Sequence, residues 1–217
     1  MLLYYITDRK AFSGTEAERQ SALLRRIAEA ASAGVNYIQL REKDLSSREL
    51  EHLTRAALRA VRENSSSTRL LINSRADVAL ACGADGVHLP AGEISASQVR
   101  ALWSKRSERQ PTIGVSAHSA ADLREALQEG ADFAVLAPIF EKANTDAKAI
   151  GVEALREASS QIQTAAGASH PFSVLALGGI NLTNAGACLQ AGASGVAGIR
   201  LFQTGDVVET VRRLGLL

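Results

Sequence analysis

The sequence predicts an α/β fold, a single-domain (βα)8 TIM barrel over residues 1–217, on three observations. The first is a phrase used four times: AGVNYIQL from Ala33, CGADGVHL from Cys82, EGADFAVL from Glu129 and AGASGVAG from Ala191. Each copy follows a helical pattern and carries a glycine (Gly34, Gly83, Gly130, Gly192), a small or branched residue and a short apolar run. A glycine there reads as the left-handed residue that ends a helix, and the apolar run as a buried strand. The second is the spacing of the copies, about two βα units. That places them on the even-numbered strands of an eight-unit barrel and favours closure over an open doubly wound sheet. The third is size: 217 residues, 46% apolar and 22% charged, suit one well-cored barrel.

The elements follow in order. Leu2–Ile6 is the first strand, because MLLYYITDRK is too short and too polar for a signal peptide. A helix over 17–33 and a strand over 35–40 come next. The helix over 46–64 starts at Ser46 with Glu49 three residues on, a capping box. A polar loop at 65–68 leads to a strand over 70–73, a short helix over 75–81 and a strand at Gly86–Leu89. Ser95 caps a helix running to Ser104. A strand over 112–116, a helix over 119–128 and a strand at Phe133–Leu136 follow. The segment 140–151 is polar and aperiodic. A helix over 152–165, a turn at 167–171, a strand over 173–177, a helix over 182–191, a strand over 195–199 and a helix at Val207–Leu214 complete the chain.

Composition narrows the function. The net charge is +1, with no basic run or aromatic-basic stripe, so a nucleic-acid partner is not expected. No apolar stretch approaches the roughly 18 residues of a membrane span, so a cytoplasmic protein acting on small molecules is expected. The two cysteines, Cys82 and Cys188, read as buried reduced thiols and are too few for a metal site. Oligomeric state is not legible.

In such a barrel the active site lies at the C-terminal ends of the strands. After strands 7 and 8 come Gly178-Gly179 and Gly198-Ile199-Arg200. The paired glycines open a helix whose free N–H groups suit an anion, and loops after strands 7 and 8 are the usual phosphate site of this fold. On strand 2, Gln39, Arg41 and Lys43 alternate and so share a face in the barrel mouth. Arg41 can grip a phosphate bidentately and Lys43 can neutralise developing charge. The alternative for these cations is a charge network with Glu42 or Asp44. Strand 5 ends in Ser116 and His118, which could share a face, with no third member of a nucleophilic triad. By the same alternation Arg200 and Gly198 share a face, unless the chain has already turned into a helix.

Read together and in order, the strand ends resemble those of the thiamine phosphate synthase family and its TenI-like relatives. The matching pieces are YITDR (5–9), YIQLREKDLS (37–46), LLIN (70–73), ADGVHL (84–89), IGVSAHS (113–119), PIF (138–140), LALGGI (175–180) and GASGVAGI (192–199). The resemblance implies the same barrel and a reaction joining an aminopyrimidine diphosphate to a thiazole phosphate, with diphosphate leaving with help from Mg²⁺. It implies that Gln39, Arg41 and Lys43 hold the diphosphate, Asn73 and Ser116 contact the pyrimidine, and Gly178, Gly179, Gly198 and Ile199 hold the thiazole phosphate.

The chain departs from the synthase pattern in three places. Ser74 follows Asn73 where the family has a Mg²⁺-binding Asp. Glu93 is the nearest match to a second metal Asp. The loop 141–148 lacks the synthases' Thr-x-Thr-Lys. All three fall on the metal–diphosphate half. TenI-like isomerases use a His after strand 6, where this chain has Pro138, so His118 or Glu93 would have to serve as acid or base. Three readings stand: a synthase, a TenI-like thiazole phosphate tautomerase, and a non-catalytic thiazole phosphate binder.

Overall fold

The computed structural model of the chain describes residues 1–141, 148–166 and 172–217. The expected 141–148 loop and 167–171 turn therefore lie largely or wholly outside the described residues. Eight parallel strands form one closed barrel in sequence order: β1 (Leu2–Ile6), β2 (Tyr37–Leu40), β3 (Arg69–Asn73), β4 (Gly86–Leu89), β5 (Thr112–Ala117), β6 (Phe133–Leu136), β7 (Ser173–Ala176) and β8 (Gly195–Gly198). The helices are α1 (Glu16–Ser32), α2 (Ser47–Asn64), α3 (Ala76–Cys82), α4 (Ala96–Ser104), α5 (Ala120–Gln128), α6 (Gly151–Ala166), α7 (Ala185–Gln190), α8 (Arg200–Gln203) and α9 (Val207–Leu214). No helix among the described residues is long and apolar enough to cross a membrane.

The fourfold phrase is a helix stop followed by a strand start. Gly34, Gly83, Gly130 and Gly192 have φ of 93°, 68°, 78° and 89°. After each, the next amide turns back to its helix: Val35 to Ala30 O, Ala84 to Ala79 O, Ala131 to Ala126 O and Ala193 to Cys188 O. This is the Schellman closure. It also explains why β2 begins at Tyr37 rather than Val35, whose N–H is committed to α1. The expected capping box at Ser46 and Glu49 is present, and Thr15 with Glu18 and Ser95 with Gln98 form two more.

Two expected boundaries move because side chains intervene. The helix expected over 182–191 starts at Ala185, because the Asn181 carboxamide first accepts the Thr183 and Asn184 N–H groups in a turn. Strand β8 ends at Gly198, and Arg200 opens α8, an element the sequence pattern did not announce. Arg200 and Gly198 therefore do not share a strand face. After β1, Asp8 caps a 3-10 turn at Arg9–Ala11, its carboxylate accepting the Lys10 N–H. Cys188 is buried, while Cys82 is half-buried rather than buried, and both are free.

The sheet separates two cores. Its outer face and the helices bury one large cluster. Inside the barrel a smaller one holds Tyr4, Ile6, Leu71, Phe133, Val135, Leu175 and Ala197. Tyr37 stacks on Phe133 with centroids 4.9 Å apart, and Tyr4 meets the Phe133 edge at 5.3 Å. These rings fill the barrel because β5 supplies no side chain at Gly114: a Cβ there would lie 2.4 Å from Phe133 Cζ and 2.9 Å from His88 Nδ1. Gly114→Ala is expected to destabilise the protein by about 1–3 kcal/mol through overpacking, read as a lower urea midpoint; an unchanged midpoint would mean that this layer is not closely packed.

Candidate active site

Side chains on one strand alternate between the barrel interior and the helices. Gln39 shares the parity of Tyr37, Asn73 that of Leu71, and Ser116 that of Gly114. With His88, which pairs in register with Asn73 and Gly114, they form a polar wall across four consecutive strands above the aromatic layer.

His88 is the centre of that wall. It is 3% exposed, and its ring lies 5.6 Å from that of Tyr4. Nε2 lies 2.9 Å from Ser116 Oγ, while Nδ1 faces Gly114 and has no partner. An unmet acceptor costs less than an unmet buried N–H, so the Nε2–H tautomer donates to Ser116 and leaves the serine hydroxyl proton free. Burial, and after it the Arg41 cation, hold the imidazole's pKa down to about 3. Two further interior atoms lack partners, Gln39 Nε2 and the Tyr4 hydroxyl, and burial holds the tyrosine well above its ordinary range. Buried polar atoms without partners are costly.

The mouth beyond β2 differs from the sequence reading. Arg41 is half-buried, but the strand has ended, and Lys43 sits exposed in a turn, so the strict alternation does not reach it. Nor do Glu42 and Asp44 pair with these cations: both bind Arg9. His118 lies past the end of β5, is exposed, and sits 2.8 Å from Ala137 O through Nδ1. The partner of Ser116 is therefore His88, on the neighbouring strand β4, and not His118.

After β7, β8 and β1 lies a cavity of about 880 Å³ lined by Gly178, Gly179, Gly198, Ile199, Arg200 and Arg213, among others. The paired glycines are required by packing. Gly178 and Gly179 have φ of 99° and 66°, and a Cβ on either would come within 2.7 Å of Pro138 or Phe140. They do not open a helix directly, since α7 starts six residues later. Arg200 is exposed at the first turn of α8 and reaches the cavity from its rim. Arg213, in the last turn of α9, was missed by sequence reasoning, because its proximity depends on how α9 packs back over the barrel.

Ser74 is the one described non-glycine residue with positive φ, at 60°. Its amide donates to His88 O, and its hydroxyl accepts from Asn73 Nδ2 at 3.0 Å. Glu93 is exposed on the loop after β4. Among the described residues no three His, Cys, Asp or Glu side chains converge on a point where a metal could sit.

The family described as thiamine monophosphate synthase (TMP-TENI) matches residues 3–202. The "Putative thiamine-phosphate synthase 2" of Aquifex aeolicus (strain VF5) is 39% identical over 201 residues, 92% of this chain and 96% of that protein. The thiamine-phosphate synthase of Syntrophomonas wolfei is 33% identical over 215 residues, 98% of this chain and 93% of that protein. The solved structure of thiamine phosphate pyrophosphorylase from Pyrococcus furiosus superposes with a TM-score of 0.78 at 29% identity, covering 99% of this chain and 94% of that one.

The depressed His88 pKa sets a pH dependence. Below about pH 6.5 the unfolded chain's histidine takes up a proton that the buried one refuses until about pH 3. Stability from this source is complete above pH 6.5 and is lost as pH falls, at up to about 1.4 kcal/mol per pH unit. Urea unfolding between pH 7 and pH 4.5 should show a shallower fall for His88→Gln than for the wild type. Parallel curves would mean that His88 takes up a proton in the folded state.

Proposed function

Because the chain belongs to the thiamine monophosphate synthase family, we propose that it couples an aminopyrimidine diphosphate to a thiazole phosphate, giving thiamine phosphate and diphosphate. The observation that carries this reading is that two anion-receptive regions open on the same barrel mouth. One is Arg41, after β2. The other is the glycine-floored cavity after β7 and β8, to which Asp8 contributes from the intervening β1 loop.

In this reading Arg41 and Lys43 neutralise the diphosphate as the bond between the pyrimidine methylene and its oxygen breaks and the thiazole nitrogen bonds to that carbon. Such chemistry is mainly stabilisation of charge on the leaving group. Gln39 Nε2 joins Arg41 and Lys43 on the diphosphate, while the Asn73 carboxamide and the Ser116 hydroxyl proton, oriented by His88, meet the pyrimidine. Gly178, Gly179, Gly198 and Ile199 seat the thiazole phosphate, with Arg200 and Arg213 at the rim.

The Mg²⁺ implied by the family resemblance does not fit the described residues as a protein-held ion. Ser74 offers a neutral hydroxyl, Glu93 is exposed, and Mg²⁺ favours anionic oxygens held in octahedral geometry. The same feature favours, as a second reading, a TenI-like isomerase or a binder of thiazole phosphate, which needs the cavity after β7 and β8 but no diphosphate site. A coupling assay with both precursors decides between them.

Calorimetry is expected to show weak or no Mg²⁺ binding without diphosphate; a tight site in the free protein would refute this. If the chain is a slow synthase, Ser74→Asp should raise its rate, and a folded variant with no gain counts against the synthase. Thiazole phosphate should bind at least about tenfold more tightly than its dephosphorylated alcohol, about 1.4 kcal/mol, and Arg200→Ala should remove part of that gap. Equal affinity for phosphate and alcohol would overturn the phosphate site and both readings.

A further inference from the structure

Four charged residues follow β2 in alternation: Arg41, Glu42, Lys43 and Asp44. Neighbours of opposite sign on one short loop would ordinarily neutralise one another. The structure sorts them instead. Both acids turn to Arg9, in the 3-10 turn after β1, whose side chain is 4% exposed. Arg9 Nη1 donates to Glu42 Oε2 at 3.1 Å and to Asp44 Oδ1 at 2.7 Å, and Nη2 donates to Asp44 Oδ2 at 2.8 Å. Its Nε donates to Glu16 Oε1, in the first turn of α1, at 2.6 Å. The Arg9 backbone N–H reaches both Glu42 oxygens, at 3.2 and 3.1 Å. Thr7 completes the junction: its hydroxyl donates to Glu42 Oε1 at 2.6 Å and accepts the Arg41 N–H at 3.0 Å. Among the described residues no acid lies within 4 Å of the charged groups of Arg41 or Lys43.

We infer that Arg9 is a positioning residue: by holding Glu42 and Asp44 on the outer side of the loop, it keeps Arg41 and Lys43 free for an anionic ligand at the barrel mouth. The inference rests on the reading above, in which those two cations hold a diphosphate. A guanidinium suits the task because its five N–H donors point in fixed directions, so that it takes both Asp44 oxygens side by side while also meeting Glu42 and Glu16, where an ammonium has three rotatable donors and no fork. The Asp44 carboxyl, gripped by that fork, is held well below its ordinary range and so stays ionised. If Arg9 releases it, the cations open to it are Lys10, which already lies 3.1 Å away, and Arg41 and Lys43 of its own loop.

The test titrates inorganic diphosphate into the full chain by calorimetry, with a thermal melt on every variant. Arg9→Lys keeps the charge and loses the fork. It should weaken diphosphate binding at least about tenfold, and adding Asp44→Asn should bring affinity back to within about threefold of wild type. A residue that merely braces the fold would not be rescued by removing a carboxylate. Wild-type affinity in folded Arg9→Lys, or no recovery in the double variant, overturns the inference. Should Arg9→Lys fail to fold, the triple variant Arg9→Gln, Glu42→Gln, Asp44→Asn decides. With no acid left to capture the cations, it should bind diphosphate within about threefold of wild type, and a larger loss overturns the inference. Arg41→Ala with Lys43→Ala is the control. If that pair leaves diphosphate affinity unchanged, the underlying reading fails. If it abolishes binding while Arg9→Lys does not, the positioning role alone fails.

Discussion

Four helix stops hold the barrel in register. At the ends of α1, α3, α5 and α7 a left-handed glycine turns the chain, and the next amide closes back onto the helix. The residue after that joins the neighbouring strand. Asn36, Asp85, Asp132 and Ser194 donate their N–H groups to Leu3, Leu70, Ile113 and Val174. The first three also accept, through their side chains, the N–H of Leu3, Leu70 and Ile113. Each even strand is thus fixed against the preceding odd strand at its first residues. A one-residue slip would exchange every interior side chain for an exterior one, so the polar wall depends on these closures.

Inside the barrel, volume decides which polar groups can exist. Tyr4, Tyr37 and Phe133 fill the lower part so completely that β5 contributes a glycine there. That glycine leaves His88 room to lie with Nδ1 against bare backbone and Nε2 on Ser116. The imidazole is neutral because it is dry and faces the Arg41 cation. A core residue and a site residue are here the same residue, seen from below and from the mouth.

Sign sorting organises the mouth as volume organises the floor. Acids that sequence places beside cations are drawn outward by one buried arginine, while the cavity after β7 and β8 has two arginines at its edge. The contrast with Ser74 is direct: its backbone sits at φ 60°, a conformation that Asn and Asp adopt more readily than Ser.

The sequence by itself determined the barrel. Glycine, small residue and apolar run are local requirements of a Schellman stop and a buried strand, and they can be read without knowing any distant contact. The order of the strands, the capping box at Ser46 and Glu49, and the strand ends that carry Gln39, Asn73, Ser116 and the glycine cavity were legible for the same reason. Tertiary structure decided everything that depends on pairs far apart in the chain. His88 and Ser116 are 28 residues apart, and Arg9 and Glu42 33 apart, so neither pairing leaves a local trace. Strand alternation could not show where a strand stops. It carried Lys43 and Arg200 into faces they do not occupy, because the first lies in a turn and the second begins a helix. Periodicity is a property of the backbone, whereas the partner of a buried charge is a property of the whole fold.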